Sequence, residues 1–518
     1  MDQVSQLDRD TSAALATIRE WRNALTPINR LPLDILSLIP TYLPSEVDRF
    51  HASSVCRHWR RTFLRRAELW SELDLTKGET YVKTLLERAK GSPLAISIRR
   101  NRRVPTSTMM LLSPRTEQIR SLKFIILEWA EVQRFIDTNP GPFPLLDSLI
   151  FTIQSSSDDP DVIIPPSARL FSSAVNLKMF RFRQLLGWSP SLSHFAFPNL
   201  VEFDFSGERS GGFSGASQLL DFLEASPVLR RVNIDADVSL EDVPRKRVVV
   251  LPNVEELCII MTYGRPIYQF TTHISCSSIT SLSLLRAGDS GVMVPGETFP
   301  TSVLWNAIVR QYTSSPVEEV TLQLNNLDSV TCTLTLRSSN ATIIKLWVAL
   351  TASNEIKDDV TYGVYNEAAS AILNHPQLAI KHFCICYNDD CVISTFTPRI
   401  ANEIRRLFKS LGPLDELKIH RSDIRPYPGC FLGILEGDVE EPAMFPPIKK
   451  LTISHPMCSS DDECTAAIVG LAQSRHALGV PFEHVTICAL WMPEGVEEGL
   501  RAWVGNVEYC YGEPEDDW

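Results

Sequence analysis

"INRLPLDILSLIPTYLPSEVDRFHASSVCRHWRRTFLRRAELWSELDL", residues 28–75, contains three short apolar patterns separated by prolines and serines. Pro32 suits the first turn of a helix, and Pro40 should end or kink that helix because proline lacks an amide hydrogen. Ser45, with Asp48 three residues later, is an imperfect cap for a second helix. These features predict three small helices. Such helices bury little surface alone, so some apolar face should be shared with a neighbour or a partner.

Six basic residues and two tryptophans lie within residues 55–70, which raises the question of an anionic partner. Apolar residues at three- and four-residue steps form one helical stripe here, and the arginines lie largely off it. We therefore interpret the stripe as facing a core and favour a solvated arginine face over a specific anionic partner. The stripe comprises Ala52, Val55, Cys56, Trp59 and Phe63, and the arginines are Arg57, Arg60, Arg61 and Arg65.

The chain has 518 residues, so we expect several domains or one elongated repeat array rather than a single globular core. Its 62 acidic residues outnumber 50 lysines and arginines, and the net charge of −12 argues against a nucleic-acid partner. The first residues do not follow a secretory pattern, and no stretch is apolar enough to predict a membrane span. We expect a soluble protein in the cytoplasm, the nucleus or both, with few or no disulfides among its 12 scattered cysteines.

Residues 1–27 predict one helix that ends near Thr26 and Pro27. Mostly apolar residues alternate three- and four-residue steps along one side of it, as in a short heptad run. Packing of this side against its own chain is favoured over dimerisation, because only about three heptads are present and Thr11 interrupts them. We call this side the N-terminal seam, which comprises Val4, Leu7, Thr11, Ala14, Ile18, Trp21 and Leu25.

Residues 28–75 resemble the F-box, and most closely F-box proteins of mushroom-forming fungi. The resemblance covers about a tenth of the chain and rests on unlike residue types in a fixed order: Leu31-Pro32-x-Asp34-Ile35-Leu36, Leu43-Pro44, Val55-Cys56-Arg57-x-Trp59-Arg60 and Leu69-Trp70. It implies that this module docks on a Skp-family adaptor, itself bound to a cullin, so that a substrate held elsewhere on the chain is ubiquitinated. The expected adaptor contacts are Leu31, Pro32, Ile35, Leu36, Leu43, Val55, Cys56 and Trp59.

From about residue 119 a short pattern recurs, in which apolar residues are separated first by two residues and then by one. The last units start 34 residues apart, and the alternating end of each unit predicts a short strand. The occurrences begin at Ile119, Leu146, Leu177, Leu200, Leu229, Val254, Ile279, Val317, Ile343, Ile380, Leu414, Ile448 and Phe482.

Segments with helical periodicity lie between these strands, at 217–227, 303–312, 366–376, 400–413 and 465–478. Repeated alternation of strand and helix predicts a parallel sheet whose units stack on their neighbours. The pattern resembles the leucine-rich repeat, although the asparagine that usually follows stands only at Asn325. We therefore predict an α/β fold, with a small N-terminal three-helix F-box followed by a leucine-rich-repeat-like solenoid with a parallel strand ladder and outer helices.

The predicted domains are an N-terminal helix at 1–27, the F-box at 28–75, a helical connector and first cap of the array at 76–118, the leucine-rich-repeat-like array at 119–510 and an acidic tail at 511–518. The connector is helical in pattern around Val82, Leu85 and Leu86, so the F-box and the array should be held in fixed relation.

Other motifs favour ordinary structural interpretations. Cys384, Cys386 and Cys391 lie near His375 and His382, but their spacing is not typical of a zinc site and favours strand cysteines. The basic runs at 99–103 and 245–247 favour surface loops over import signals, and "GGFSGAS" at 211–217 favours a helix start over a nucleophile turn. We therefore expect no catalytic, cofactor-binding or metal-binding residues.

The predicted function is that of a non-catalytic substrate-recognition subunit of a cullin-type ubiquitin ligase. The substrate is unknown, and outward strand residues such as Asp204, Asn233, Lys418 and Lys450 are candidates to face it. One alternative is a repeat scaffold that acts outside a ligase, and an enzyme, most plausibly a hydrolase, is a more distant one.

Overall fold

The computed structural model describes residues 2–43, 45–99, 103–126, 129–153, 174–184, 197–207, 215–244, 246–261, 264–286, 317–326, 330–338, 343–350, 378–387, 402, 405–406, 408–420, 446–454, 461–489 and 495–511. Contacts divide the chain into two compact units, residues 1–202 and 203–518. The division falls inside the range assigned to the array, and the predicted domain bounds stay predictions.

The first unit begins with helices, and the three small helices predicted for residues 28–75 are present. The first of them ends at Leu38, just before Pro40, as predicted. The second is capped by Ser45, whose Oγ accepts the Asp48 backbone N–H at 3.1 Å. The elements are α1 (Asp2–Leu25), a 3₁₀ turn (Pro27–Arg30), α2 (Leu33–Leu38), a 3₁₀ turn (Ile39–Tyr42), α3 (Glu46–Ser53), α4 (Arg57–Arg65) and a 3₁₀ turn (Ala67–Trp70).

The continuous apolar stripe predicted around residues 52–63 is wrong. Ala52 belongs to α3, whereas Trp59 lies in α4, because the chain leaves the helical conformation between them. Cys56 has an extended backbone as the residue before α4, and Val55 is 63% exposed. Only the C-terminal part of the stripe, Trp59 and Phe63, is buried as expected.

The N-terminal seam does not pack against the chain in the part that the structure describes. The large seam residues of α1 are well exposed, among them Leu7 and Trp21. The expectation that the seam packs on its own chain is therefore wrong, because α1 contacts the following residues through another side.

A ladder of parallel strands follows in the first unit. Each strand pairs with the next one along the chain, and the pairs β1–β2, β2–β3, β3–β4 and β4–β5 are all parallel. The inward side is rich in phenylalanine, and the rings of Phe124 and Phe151 stack with centroids 5.3 Å apart. The elements are β1 (Glu72–Asp74), a 3₁₀ turn (Leu75–Lys77), α5 (Glu79–Ala89), β2 (Leu94–Arg99), α6 (Thr106–Met110), a 3₁₀ turn (Ser113–Gln118), β3 (Ile119–Ile126), α7 (Trp129–Thr138), β4 (Ser148–Ile153) and β5 (Met179–Gln184).

The second unit continues with strands and helices in alternation. Its parallel pairs include β7–β9, β9–β11 and the run from β15 to β19, while β8 and β10 form a separate small sheet. The first elements are β6 (Glu202–Ser206), α8 (Ala216–Glu224), β7 (Arg231–Asp235), β8 (Val249–Val250), β9 (Glu256–Met261), α9 (Gly264–Thr272), β10 (Ile274–Ser275) and β11 (Ser281–Arg286). The later elements are β12 (Val317–Asn326), β13 (Val330–Ser338), β14 (Ile343–Leu350), β15 (Leu378–Tyr387), β16 (Leu414–His420), β17 (Ile448–Ser454), α10 (Asp461–Ala477), β18 (His484–Ala489), α11 (Val496–Arg501) and β19 (Asn506–Tyr511).

The prediction of one continuous parallel ladder is wrong at β12–β14. Here β11 pairs with β14, and β13 runs antiparallel between β14 and β12, which in turn pairs with β15. Only residues 327–329 and 339–342 separate these three strands. Such short connections permit antiparallel neighbours, whereas a parallel crossover needs a dozen or more residues.

Most other predicted elements are confirmed. Each of the recurring apolar patterns leads into or lies within a strand, and the helices predicted at 217–227 and 465–478 correspond to α8 and α10. The segments 303–312 and 366–376 lie outside the described residues. In the predicted segment 400–413 the described residues up to Ser410 are helical, whereas residues 411–413 are not. The sequence patterns do not predict the strands β1, β2, β8, β10, β13 and β19 or the helices α6, α7, α9 and α11, which the structure contains.

Candidate functional site

The helical module at residues 28–75 has a small aromatic core. Phe63 of α4 and Trp70 of the following turn are almost completely buried, and the Trp70 Nε1–H donates to the Phe63 carbonyl at 3.1 Å. Phe50 of α3 packs edge-on against Trp70, with ring centroids 5.2 Å apart. Leu36 of α2 has no exposed surface. One large side chain from each helix thus holds the module together.

Trp59 joins this core to the end of α1. Its indole is 8% exposed, and it stacks on Phe63 with centroids 5.6 Å apart. Its Nε1–H donates to the Asn29 side-chain oxygen at 2.6 Å, and the Asn29 amide donates to the Asn23 carbonyl at 2.7 Å. Because both polar groups are satisfied, Trp59 fits a structural role in the core.

Apolar side chains of α2 and the turn after it remain at the surface. α2 has only six residues and buries only Leu36 among them, so the rest of its apolar surface faces outward. Exposure is normal for one such residue, but a group within one short segment indicates a binding surface. We call this group the α2 surface. It comprises Leu33, Ile35, Leu38 and Tyr42, which are 43% to 81% exposed.

The structure places the eight expected adaptor contacts in three kinds of environment. Pro32, Ile35 and Val55 are exposed, and Leu31, Leu43 and Cys56 are half-buried. Leu36 and Trp59 lie inside the module, where they support the surface rather than form it. Contact of any of them with an adaptor stays a prediction. Sequence reasoning missed Leu33, Leu38 and Tyr42, because only packing shows which side of α2 is covered.

Arginines tie the helices of the module together. Arg66, the residue after α4, donates through Nη1 to the Ser37 carbonyl at 3.3 Å and to the Ser37 Oγ at 3.1 Å, which links the end of α4 to α2. Arg49 of α3 donates to the Leu69 carbonyl at 3.3 Å and pairs with Glu72 of β1 at 2.5 Å. These contacts support a structural role for part of the basic surface.

The module is built into the strand ladder of the first unit. β1 is its last segment and pairs in parallel with β2, where Leu73 is in register with Ile96. α5 buries Val82, Leu85 and Leu86. Arg88, also from α5, lies over the Trp70 ring at 4.7 Å from its centroid.

Burial of the Arg88 guanidinium, together with the charge of Arg60, lowers the pKa of Arg88 below its ordinary value. An arginine stays charged under these conditions, so the cation over the Trp70 ring persists at neutral pH.

Outward strand residues carry exposed charges in both units, and they are of mixed sign in the second. In the first unit, Lys123 and Arg183 are exposed. In the second, the largely buried Glu416 carboxylate lies 3.1 Å from Lys450 Nζ and 3.7 Å from Lys418 Nζ. Burial opposes ionisation of Glu416, but the hydrogen bond from Lys450 and both lysine charges outweigh it, so the pKa of Glu416 is below its usual value.

The alternative motifs have structural roles where they are described. Arg247, from the run at 245–247, pairs with Asp221 at 2.5 Å and Glu224 at 3.0 Å on α8. Cys384 is buried in β15, while Cys391 and His375 lie outside the described residues. Within the described ranges, no group of three or more histidine, cysteine, aspartate and glutamate side chains could hold a metal ion. "GGFSGAS" overlaps the start of α8 at Ala216, and Ser214 lies outside the described residues.

One segment of the chain matches a known protein family. The F-box-like family model matches residues 28–76, which contain the module, its α2 surface and β1. No curated protein matches the chain. Within the described ranges, no helix is long and apolar enough to cross a membrane.

Proposed function

We propose that this chain is a non-catalytic substrate-recognition subunit of a cullin-type ubiquitin ligase. The F-box-like match at residues 28–76 carries the proposal, because F-box domains generally bind Skp-type adaptors. In this account the module docks on a Skp-family adaptor, which connects it to a cullin. The strand ladders, which we propose to be leucine-rich-repeat-like, hold a protein substrate.

The α2 surface is the proposed docking face. A helix of six residues cannot cover both of its sides with its own small core, and here Leu36 takes the inward side. Leu33, Ile35 and Tyr42 are left as apolar anchors of the size that commonly dominates protein interfaces. Leu36 and Trp59 act indirectly in this account, because they fix the helix that presents the surface.

A receptor must also hold its docking face and its substrate in fixed relation. Two features of the first unit favour a fixed relation between the module and the ladder of that unit. The in-register pairing of β1 with β2 leaves no flexible tether between the module and the ladder of that unit. The second feature is a contact between α5 and the module, in which the Arg88 guanidinium lies over the Trp70 ring.

The substrate site is proposed on the outward strand faces and adjoining loops. Alternate residues of β6, β7 and β9 are buried and half-exposed, as a face open on one side requires. In β16 and β17, acidic and basic residues stand in register, such as Glu416 beside Lys450. Mixed charge of this kind favours a polar protein surface over a small apolar ligand. The antiparallel β13 is the main departure from a leucine-rich-repeat-like ladder.

Affinity purification of the tagged full chain from cells tests the proposal. Recovery of a Skp-family adaptor together with a cullin supports it. Recovery of the adaptor without a cullin would favour the repeat scaffold that acts outside a ligase. A chain that recovers neither partner, while remaining folded, would contradict the proposed function.

A further inference from the structure

The N-terminal seam is exposed along the length of α1. Val4, Leu7, Ile18, Trp21 and Leu25 are between 58% and 70% exposed. Single exposed apolar residues need no explanation, but these lie, together with Thr11 and Ala14, at alternating three- and four-residue steps. A heptad stripe of this kind is typical of a helix that pairs with another helix.

α1 contacts the rest of the chain from its opposite side. Glu20 pairs with Arg57 of α4 at 2.6 Å, and the Asn23 carbonyl accepts the Asn29 side-chain amide at 2.7 Å. With Ile18 at the first position of a heptad, Glu20 and Asn23 take the outer third and sixth positions. α1 therefore contacts the module through the side opposite the seam, and the seam faces away from the module.

We propose that the N-terminal seam binds the same seam of a second copy of this chain, forming a short antiparallel coiled coil. The sizes of the seam residues favour this direction. An antiparallel register places Thr11 opposite Trp21 and Ala14 opposite Ile18, so that small residues meet large ones. A parallel dimer would instead set Trp21 against Trp21 and Ala14 against Ala14, which leaves one layer overfilled and another underfilled.

The polar seam residue can be buried in such an interface. The Thr11 hydroxyl donates to the Leu7 carbonyl at 2.8 Å within α1, so its hydrogen is already satisfied. In the same antiparallel register Leu7 faces Leu25 of the second copy, which continues the apolar interface beyond the Thr11 layer. Thr11 therefore does not prevent the seam from pairing.

The charges beside the seam also favour the antiparallel direction. Asp8 and Arg22 occupy the fifth positions of their heptads, which flank the same positions of an antiparallel partner. The register above brings Asp8 of each copy beside Arg22 of the other, with Leu15 meeting Leu15 on the two-fold axis. A parallel pair would place Asp8 beside Gln3 and Arg22 beside Thr17, with no opposite charges in contact.

The molar mass of the purified full chain in solution tests the proposal. The monomer has a mass of 58.2 kDa, and we expect the mass to approach twice that value as the concentration rises to about 50 µM. The double variant Leu7→Asp/Ile18→Asp should stay monomeric, with far-UV circular dichroism showing that the rest remains folded. A wild-type chain that is monomeric at every concentration would overturn the proposal.

Charge changes test the direction of the helices. Asp8→Arg and Arg22→Asp should each weaken the dimer about tenfold, and combining them should restore it. Asp10→Arg is the matched control, because position 10 faces no charged residue in this register, and it should leave the dimer unchanged. If the combined variant is no tighter than either single variant, the antiparallel register is wrong.

Cross-linking tests the two-fold contact directly. In a Cys510→Ser background, Leu15→Cys, beside the seam, should form a covalent dimer under mild oxidation, whereas Ala13→Cys, on the outer side of α1, should not. Equal cross-linking of both variants would contradict the proposal. If seam variants no longer bind a Skp-family adaptor but still self-associate like the wild type, the seam is an adaptor-binding surface and the dimer is refuted. This inference does not depend on the proposed function.

Discussion

Leu73 of β1 lies in register with Ile96 of β2, and both side chains are almost completely buried. β1 is the last segment of the helical module, so this pair joins the module to the ladder of the first unit. The two parts should then unfold together rather than as separate domains. This pair is the structural basis for treating the module and the first ladder as one body.

Leu73→Ala should therefore destabilise the module and the first ladder together. We expect a cost of about 2–5 kcal/mol, typical of a large-to-small change in a core. Hydrogen exchange should accelerate in α3 and in β3 to a similar extent. Lys83→Ala, an exposed change on α5, is the control and should alter neither region. Faster exchange confined to α3 would show that the module unfolds independently of the ladder.

Trp59 offers a test of how the module is held to α1. Trp59→Ala should cost about 3–5 kcal/mol, because it removes a nearly buried ring. Trp59→Phe keeps a ring against Phe63 but leaves the Asn29 oxygen without its donor, and it should cost about 0.5–1.5 kcal/mol beyond the smaller ring's effect. Urea denaturation measures both values. An Ala variant as stable as the wild type would show that Trp59 is peripheral.

Much of the strand ladder was accessible from sequence, because its apolar pattern repeats. β19 could also have been found, since Val504, Val507 and Tyr509 repeat the pattern that marks the earlier strands. β13 carries a plain two-residue alternation around Leu334, but its antiparallel direction follows from the short connections on either side. β1 has only three residues, too few for any periodicity to be recognised.

The candidate site was harder to predict from the sequence than the strand ladder. The sequence identifies α2 as a docking helix by resemblance, but it does not show which side of six residues packs inward. In the structure Leu36 is covered because α2 packs against α4 on that side, whereas Leu33 of α2 and Tyr42 of the following turn are exposed. Burial of one face depends on tertiary contacts, which local periodicity in so short a helix cannot determine.

Glu416 should make stability depend on pH. The pKa of Glu416 is lowered in the folded chain, so its ionised form stabilises the fold fully above the unfolded value of about 4.5. That contribution is lost as the pH falls through the lower, folded pKa. Glu416→Gln should therefore have a lower melting temperature than the wild type at pH 7, and the difference should shrink towards pH 3.

The control for this experiment is Glu241→Gln, which changes an exposed carboxylate of the same unit. It should leave the melting temperature nearly unchanged at each pH. A difference between Glu416→Gln and the wild type that stays constant from pH 7 to pH 3 would contradict an ionic role for Glu416.

Thiol reactivity should follow burial. Burial raises the pKa of Cys276 to about 12, and burial with the charges of Asp235 and Asp204 raises the pKa of Cys258 to about 11. At pH 8 only about one Cys276 thiol in ten thousand is ionised, so alkylation should be slow. Cys510 is exposed and should react at least about 100-fold faster. Peptide mass spectrometry after iodoacetamide treatment compares the rates, and equal rates would refute the burial of Cys276.

The exposed residues of the α2 surface should tolerate substitution, whereas the buried Leu36 of the same helix should not. Leu36→Asp places a charge in the core of the module and should unfold it. Ile35→Asp and Tyr42→Asp change exposed residues and should lower the melting temperature by no more than about 2 °C. Differential scanning calorimetry of the three variants makes the comparison. A strong loss of stability in Ile35→Asp would mean that its side chain is part of the core.

Calorimetric titration of a purified Skp-family adaptor into the full chain measures docking of the module itself. We predict one-to-one binding, weakened at least 30-fold, or about 2 kcal/mol, by Ile35→Asp/Tyr42→Asp. Val47→Asp, an exposed change on α3 outside the α2 surface, is the matched control and should bind like the wild type. A folded wild-type chain that does not bind the adaptor, or a double variant that binds as tightly as the wild type, would contradict the account.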